Sequence, residues 1–193
     1  MTYTYSVLKH VNKFALATIF VVALMTLLCS ATPSHAEVVY TDIYVFMENK
    51  GTYNFDFDNN GFTDLSFSLI LSQNNCPYTI VGVEQPARGN GAVITPLEKG
   101  ASIGPGLRFY PRAHRMASLT DTCTDSTYSG PWPEYQTRYL GVSFLIDGET
   151  HYAWASVEFE VIKTFGPPKL VAILTGYAYE TVAGMPISAG QTK

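Results

Sequence analysis

Two segments of alternating apolar residues meet at Asp147-Gly148, and this feature constrains the fold more than any other. Asp-Gly between such segments is typical of a two-residue type I′ turn, because both turn positions need positive φ. A turn of this length also fixes which residues face each other across the hairpin. The pairs that it predicts are Ile146 with Glu149, Phe144 with His151, Val142 with Ala153, and Leu140 with Ala155. The sequence therefore predicts an antiparallel hairpin over residues 139–161 with one apolar face.

The opposite face of this hairpin pairs a glycine with a tryptophan. In the same register Gly141 lies directly opposite Trp154. An aromatic side chain can shield the bare backbone of a facing glycine. We therefore expect the indole of Trp154 to cover Gly141.

The rest of the chain repeats the alternating pattern in shorter segments. Apolar runs rich in β-branched and aromatic residues are separated by turn residues, and no long segment has helical periodicity. Alternation predicts strands over residues 38–47, 53–58, 64–71, 79–83 and 92–94. Strands of this number and length suit two packed antiparallel sheets. We predict an all-β chain that forms an antiparallel β-sandwich, of which the jelly roll is one arrangement.

The last predicted strand, residues 170–180, is apolar on both faces. Strict alternation places Tyr177 and Tyr179 on the same side as Val171 and Ile173. A strand with two apolar faces suits the middle of a sheet that is covered on both sides.

Residues 1–36 differ in composition from everything that follows. Two lysines precede 16 uncharged residues (14–29), and Ser34 and Ala36 are small residues at positions −3 and −1 of a cleavage site. This is the pattern of a secretory signal peptide with its helix. A retained anchor is the alternative, but a membrane span needs about 20 apolar residues. We predict that cleavage releases one secreted or periplasmic domain, residues 37–193, without a membrane span.

Segment 76–137 is the least regular part of this predicted domain. Residues 84–137 contain six prolines, and residues 108–110 form the most strand-like run among them. Cys76 and Cys123 are the two cysteines beyond the signal peptide. An even number of cysteines in an exported chain predicts a disulfide, and we expect a bridge between them. A free thiol is the alternative.

Charge and aromatic content narrow the class of protein. Residues 37–193 carry 10 basic and 16 acidic residues, a net charge of −6, with no run of basic residues. Nucleic-acid binding needs clustered Lys and Arg, so no nucleic-acid partner is expected. The 13 Tyr and 11 Phe of the chain argue against disorder.

Residues 56–64 carry the one motif that indicates a definite chemistry. They read Asp-Phe-Asp-Asn-Asn-Gly-Phe-Thr-Asp and fit the pattern D-x-D-x-N-G-x-x-D. Calcium takes six to eight oxygen ligands, and oxygen-bearing residues at alternate positions of a tight loop can turn inward together. The predicted Ca²⁺ ligands are the side chains of Asp56, Asp58, Asn60 and Asp64 and the backbone carbonyl of Phe62.

The surroundings of this motif exclude an EF-hand. Phe67 stands where an EF-hand needs a bidentate Glu, and the flanking segments alternate as strands. The loop resembles the strand–loop–strand calcium sites of integrin-type FG-GAP repeats, which implies the same five ligands. We expect Ca²⁺ to act structurally here. A solvated turn rich in Asp and Asn is the alternative.

The sequence contains no motif of the common hydrolases, P-loop enzymes or dinucleotide-binding enzymes. Two histidines lie beyond residue 36, His114 and His151, and His151 lies on the apolar face of the hairpin, which favours a packed side chain. Glu158 and Glu160 share a face with Trp154, so a glycoside-hydrolase-like enzyme is one alternative. Because neighbouring glutamates on a strand are usually a solvated surface, we favour a protein that is not an enzyme.

Three aromatic residues, Tyr128, Trp132 and Tyr135, lie close together in the proline-rich part of the chain. Flat rings on the loops of a β-sandwich can bind sugars, which makes a carbohydrate-binding module the second function considered. The alternative is that the rings cover the irregular half of the core.

Four short motifs in the C-terminal part of the chain carry a family resemblance. They are Tyr-Leu-Gly-Val at 139–142, His-Tyr-Ala-Trp-Ala at 151–155, Tyr-Ala-Tyr-Glu-Thr at 177–181 and Pro-Ile-Ser-Ala-Gly at 186–190. In this order they resemble secreted bacterial proteins of the PEP-CTERM-associated type, in which a "GW" strand precedes AYE-T-x-x-x-x-P-I-x-A-G. The sequence differs in having Ala153 before the tryptophan, and Lys193 is followed by no PEP motif or basic tail.

This resemblance implies a secreted β protein and says little about activity. Together with the loop, it leads us to expect a calcium-stabilised sandwich with a binding or structural role in the cell envelope or extracellular matrix. The expected partners are an extracellular polysaccharide or a cell-surface protein.

Overall fold

The computed structural model describes residues 36–72, 78–163 and 166–193, and these form strands and no helix. Accordingly, nothing in these ranges is a helix of the length and apolarity that crossing a membrane requires. The strands are β1 (Val38–Glu48), β2 (Gly51–Phe55), β3 (Leu65–Leu71), β4 (Tyr78–Pro86), β5 (Gly91–Ala92), β6 (Ser102–Ile103), β7 (His114–Asp121), β8 (Ser126–Ser129), β9 (Arg138–Ile146), β10 (Glu149–Ile162), β11 (Lys169–Glu180) and β12 (Ile187–Ser188). The predicted signal peptide, except Ala36, lies outside the described residues.

Two five-stranded sheets and one small sheet organise these strands. The first sheet has the order β1-β11-β10-β9-β5, and the second has the order β2-β3-β4-β7-β8. The strands of the small sheet are β12 and β6. Neighbouring strands pair antiparallel in all three sheets. The prediction of an all-β antiparallel sandwich is confirmed.

The hairpin of β9 and β10 has the register that the sequence predicts. Asp147 and Gly148 have φ angles of 52° and 87°, as a type I′ turn requires. All four predicted cross-strand pairs are present. Their apolar side chains point into the space between the two large sheets.

Aromatic rings from both large sheets meet in the core between them. Phe67 of β3 lies 6.0 Å from Phe159 of β10, measured between ring centroids. Phe55 of β2 meets Tyr177 of β11 edge to face at 5.5 Å. Such ring pairs contribute about 0.5–1.5 kcal/mol beyond their buried area. They join the two layers directly.

Strand β11 lies between β1 and β10, in the middle of its sheet as predicted. The prediction that Tyr177 and Tyr179 lie on the same side of the sheet as Val171 and Ile173 is wrong. A bulge shifts the register between the pairs Ala155–Tyr177 and Val157–Leu174. An extra residue in one strand reverses the side-chain alternation beyond it. Tyr177 and Tyr179 therefore face the same core as Leu174.

The outer face of the first sheet is covered by a second, smaller core. Tyr152 and Trp154 of β10 and Ala178 of β11 pack there against Ile103 of β6 and Ile187 of β12. This cover explains why β11 is apolar on both faces, since each face packs on its own cluster.

Gly141 and Trp154 form the predicted pair, but the indole does not cover the glycine. A Cβ added at Gly141 would meet Val93, Leu97 and Ile103 at 3.1–3.4 Å. The indole of Trp154 instead donates a hydrogen bond to the carbonyl of Gln191 at 3.0 Å. The covering residues come from distant chain segments that the hairpin register alone does not identify.

Segment 76–137 is more regular than the sequence predicts. Residues 108–110 form no strand, and only Tyr110 makes an isolated bridge, to Ala92. Strand β7 (His114–Asp121) was not predicted, yet it pairs with β4 inside the second sheet. Its register slips opposite Gly82 and Val83, so its side chains do not alternate strictly.

The sequence prediction also extended two strands into the loop between them. Residues 56–58 follow the end of β2, and Asp64 precedes the start of β3. Cys76 lies outside the described residues, so the Cys76–Cys123 disulfide stays a prediction.

Candidate metal centre

Loop 56–64 connects β2 to β3 at one end of the second sheet. Phe55 pairs with Leu65, and the N–H of Asp64 donates to the carbonyl of Phe55 at 2.8 Å, so the two ends of the loop are held together. Phe57 is 2% exposed and stacks on Phe55 at 5.7 Å. The loop is therefore anchored in the core by its second residue.

Asp56 organises the turn of the loop. Its Oδ1 accepts the N–H of Asn60 at 3.0 Å, and its Oδ2 accepts the N–H of Gly61 at 2.8 Å. Asn59 and Gly61 have φ angles of 57° and 88°, a region that Asn and Gly tolerate best. The loop thus folds back so that its acidic side chains gather on one side.

Three carboxylates come together in this loop. Asp56, Asp58 and Asp64 each offer an oxygen, and these oxygens lie within 4.8 Å of one another. Like charges at this distance repel, and the repulsion must be offset by protonation, hydrogen bonds or a cation. The cluster is the feature of the described residues that best matches a cation site.

Asp64 is the buried carboxyl of the cluster, with 6% of its surface exposed. Burial raises its pKa to about 6, and the charges of Asp58 and Asp56 add to this effect. Hydrogen bonds oppose the shift: Oδ2 accepts the N–H of Phe57 at 2.9 Å, and Oδ1 accepts Nδ2 of Asn90 at 3.2 Å. A cation beside Asp64 would stabilise its ionised form in the same direction.

Asn90 is a residue of the site that the sequence does not reveal. It is 7% exposed, and its Nδ2 also donates to the backbone carbonyl of Asp64 at 3.1 Å. The same carbonyl accepts the N–H of Ala87 at 2.8 Å. Residues 87–90 lead from β4 in the second sheet to β5 in the first. Asp64 therefore joins the acidic loop to a connection between the two sheets.

The structure gives less support for the other two predicted ligands, the side chain of Asn60 and the carbonyl of Phe62. Asn60 donates its Nδ2 to Asp58 Oδ2 at 2.8 Å, while its Oδ1 accepts the N–H of Phe62 at 2.8 Å. The amide nitrogen, rather than the oxygen, thus faces the carboxylate, and the side chain must turn to ligate a metal. The Phe62 ring is 77% exposed, and the role of its carbonyl stays a prediction.

The donor set fits a hard cation. Every candidate ligand is an oxygen, and no histidine or cysteine belongs to the cluster. Carboxylate and carbonyl oxygens suit Ca²⁺ and Mg²⁺, while softer metals prefer nitrogen or sulfur. The flexible geometry and larger ligand number of Ca²⁺ suit a loop on a strand hairpin better than the strict octahedron of Mg²⁺.

The three aromatics predicted as a sugar platform do not form one. Trp132 is 1% exposed and packs edge-on against Phe159 in the core. Tyr128 is half-buried and donates its hydroxyl to the carbonyl of Trp132 at 2.7 Å. Only Tyr135 keeps an exposed ring, and its hydroxyl donates to the carbonyl of Val161 at 2.6 Å. Trp132 and Tyr128 pack on the core, as in the alternative, whereas Tyr135 does not.

The other candidate residues are fixed by packing or hydrogen bonds. His151 is 6% exposed, with Nδ1 2.9 Å from the carbonyl of Glu180, so the prediction of a packed histidine is confirmed. Glu158 Oε2 accepts the hydroxyl of Thr137 at 2.6 Å. Glu160 is half-buried on the same strand.

His114 makes a contact that was not predicted. Its Nδ1 lies 3.1 Å from Oε1 of Glu84, which is 1% exposed on the core face of β4. Among the residues that the structure describes, Oε2 of Glu84 has no hydrogen-bond partner. Burial raises the pKa of Glu84 to about 8.

Comparison with protein-family models, with curated proteins and with solved structures found no match to this chain. The resemblances to PEP-CTERM-associated proteins and to FG-GAP loops therefore stay predictions.

Proposed function

We propose that this chain is an exported, calcium-stabilised β-sandwich that acts by binding rather than by catalysis. The observation that carries the calcium proposal is the approach of Asp56, Asp58 and Asp64 to within 4.8 Å. Carboxylates held this close at a hairpin end favour a divalent cation, which neutralises their repulsion.

The bound ion would supply charge neutralisation, and the chain would supply the oxygens. Asp56, Asp58 and Asp64 would hold it, with Asn60 after rotation of its side chain and Phe62 through its carbonyl. The ion would secure the β2–β3 hairpin. Through Asp64 and its hydrogen bonds with Asn90, it would also steady the connection between the sheets. This argument supports a structural role for the ion.

Thermal unfolding with and without calcium tests the site. We expect 1 mM CaCl₂ to raise the melting temperature over that in EDTA, because a ligand at 100 times its Kd adds about 2.7 kcal/mol of stability. Asp58→Ala removes one carboxylate and should abolish the rise. Asp125→Ala is the matched control, since Asp125 is exposed and lies outside the cluster. Equal melting temperatures of the wild-type chain in both buffers would refute the proposal.

Export rests on the sequence pattern of residues 1–36 and has its own test. The full chain is expressed in a bacterium with an active secretory pathway, and the N-terminus of the exported protein is sequenced. We expect it to begin at Glu37. A protein that keeps residues 1–36 would contradict cleavage and favour the anchor.

A further inference from the structure

The side chain of Glu180 is buried at the point where the chain would begin after removal of the signal peptide. Glu180 is the last residue of β11 and is 4% exposed. Its Oε1 accepts the N–H of Glu37 at 3.2 Å and the N–H of Val182 at 3.0 Å. Glu37 directly follows the predicted cleavage site. The first nitrogen of the cleaved chain would therefore lie at a buried carboxylate.

Sheet pairing fixes the backbone on both sides of this contact. Val38 pairs with Glu180 in the register of β1 and β11, and the carbonyl of Glu37 accepts the N–H of Thr181 at 3.0 Å. From β10, on the other side of β11, Nδ1 of His151 lies 2.9 Å from the backbone carbonyl of Glu180. A binding group that is held in place beforehand loses less conformational entropy when its ligand binds.

The carboxylate of Glu180 has no cationic side chain beside it. Within residues 36–72, 78–163 and 166–193, no Lys, Arg or His forms an ion pair with Glu180, whereas Glu48 pairs with Lys169. A buried carboxylate loses its hydration, and a positive charge in contact with it offsets that cost. The position of the Glu37 nitrogen is therefore one at which a positive charge is favoured.

Cleavage of the signal peptide creates such a charge at this nitrogen. In the uncleaved chain, the nitrogen of Glu37 belongs to a neutral peptide bond with Ala36. Hydrolysis adds water across that bond: Ala36 leaves as a carboxylate, and both protons of the water end on the nitrogen of Glu37, which becomes an α-ammonium group. An α-amino group with the usual pKa of about 7.7–8.0 is protonated in most molecules at pH 7.

We propose that Glu180 binds the α-ammonium group of Glu37, so that removal of the signal peptide completes the domain with an ion pair. The inference rests on the proposed export and cleavage, and it assigns the residue that receives the new N-terminus. Two independent features meet at one atom. Ser34 and Ala36 set the cleavage site in the sequence, and the pairing of β1 with β11 places the nitrogen of Glu37 at Glu180.

The ion pair would fasten the first residue of an edge strand. In the described part of the chain, β1 pairs with β11 alone. Terminal strand segments that have few contacts open locally at a low cost in free energy. Hydrogen bonds between two charged groups are about twice as strong as those between neutral groups. The cleaved chain therefore holds the start of β1 more firmly than the uncleaved chain does.

Two chains with defined N-termini test the ion pair. The first begins at Glu37 and carries its α-ammonium group at Glu180. The second begins at Thr32, so the nitrogen of Glu37 stays in a peptide bond and the α-ammonium group lies five residues away. Residues 36–193 form one compact unit, which both chains contain apart from Ala36. We expect urea unfolding at pH 7 to give an equilibrium constant of unfolding about tenfold smaller for the first chain, which corresponds to about 1.4 kcal/mol.

Glu180→Gln separates the ion pair from the hydrogen bonds. The amide oxygen of the glutamine still accepts the N–H groups of Glu37 and Val182, but it carries no charge. The difference between the two chains should therefore fall below about twofold. Glu149→Gln is the matched control, because it removes the same charge from an exposed position at the start of β10, and it should leave the tenfold difference intact.

A purely structural role of Glu180 predicts a different result. If Glu180 only holds the turn at Val182, Glu180→Gln destabilises both chains equally. Equal stability of the two wild-type chains, or a difference that survives Glu180→Gln, would overturn the proposal.

The wild-type chains still decide the question if the glutamine variants do not fold. A crystal structure of the chain that begins at Glu37 should show its terminal nitrogen about 2.7–2.9 Å from the carboxylate of Glu180. A terminal nitrogen that points into solvent would contradict the ion pair.

N-terminal sequencing of the exported protein separates this inference from the proposed export. A first residue other than Glu37 refutes the cleavage position, and with it the natural formation of the ion pair. Glu37 as the first residue, together with equal stability of the two wild-type chains, refutes the ion pair alone. All unfolding is measured in EDTA, so the calcium proposal does not affect the result.

Discussion

The ring of Phe159 lies directly against the backbone of Gly82. A Cβ built at residue 82 would stand 2.6 Å from Cε1 and 2.8 Å from Cζ of that ring. Gly82 belongs to β4 in the second sheet and Phe159 to β10 in the first. Phe159 is fully buried, with Phe67 at 6.0 Å and Trp132 at 6.1 Å. The missing side chain of Gly82 thus makes room for a ring that fills the space between the sheets.

Gly82→Ala should lower the free energy of unfolding by about 1–3 kcal/mol, because the enclosed ring cannot move away from the new methyl group. Urea unfolding measures the change. Gly106→Ala is the matched control, since a Cβ at Gly106 meets nothing within 4 Å, and it should change stability by less than about 0.5 kcal/mol. Equal effects of the two substitutions would contradict this account of the contact.

The pH dependence of stability without calcium should reveal Asp64. Its pKa is about 6 in the folded chain, against 3.8 without the shift. The folded state therefore holds a proton that the unfolded chain releases, and stability falls as pH rises from about 4 to about 6. The loss is on the order of 2–3 kcal/mol, from 1.36 kcal/mol for each pKa unit.

Asp64→Asn removes this titration, whatever its effect on absolute stability. Urea unfolding in EDTA at several pH values should therefore give a flatter curve for the variant between pH 4 and 6 than for wild type. Parallel curves would show that Asp64 does not titrate with a raised pKa. Added CaCl₂ should flatten the wild-type curve too, because the ion stabilises the ionised carboxylate.

Glu84 should change the stability of the folded chain in a second, higher pH range. Burial raises its pKa to about 8 from 4.5, although a hydrogen bond with His114 opposes the shift. The proton is again held by the folded state, so Glu84 lowers stability as pH rises, and between pH 6 and 8 its effect is separate from that of Asp64. Glu84→Gln resembles the neutral acid and should flatten the unfolding free energy in that range. A wild-type slope that survives the substitution would have to come from another group.

The Cys76–Cys123 disulfide is a prediction that can be tested directly. Tyr78 of β4 pairs with Asp121 of β7; in the sequence Cys76 precedes Tyr78 by two residues, and Cys123 follows Asp121 by two. A non-reducing digest followed by mass spectrometry should therefore yield a peptide pair linked through residues 76 and 123.

Reduction of that bridge should cost about 4 kcal/mol of stability, because it closes a loop of nearly fifty residues in the unfolded chain. Cys29→Ser should leave both the linked peptide and the stability of the mature domain unchanged. Two thiols that react with iodoacetamide in urea without reductant would exclude the bridge.

Local rules in the sequence determined the hairpin of β9 and β10 completely. Asp147-Gly148 takes positive φ at both positions, and a two-residue turn leaves one register that keeps both apolar sets on the same side. The motif of the acidic loop was likewise readable, because its turn residues are local, although the alternation of its flanks extended the predicted strands into residues 56–58 and 64. The all-β class and the sandwich architecture also follow from the alternation of apolar and polar residues, which has a period of two along each strand.

Contacts between distant segments were decided only by the tertiary structure. The bulge moves Tyr177 to the core face because β11 has one residue more than β10 between two of their paired positions. Trp132 is buried because Phe159 lies beside it. Asn90 donates a hydrogen bond to Asp64 of the acidic loop, which lies 26 residues earlier in the chain. Glu84 of β4 lies beside His114 because the two residues are partners in the pairing of β4 with β7. Alternation and turn chemistry act over a few residues, whereas these partners depend on which strands pair and how the two sheets pack.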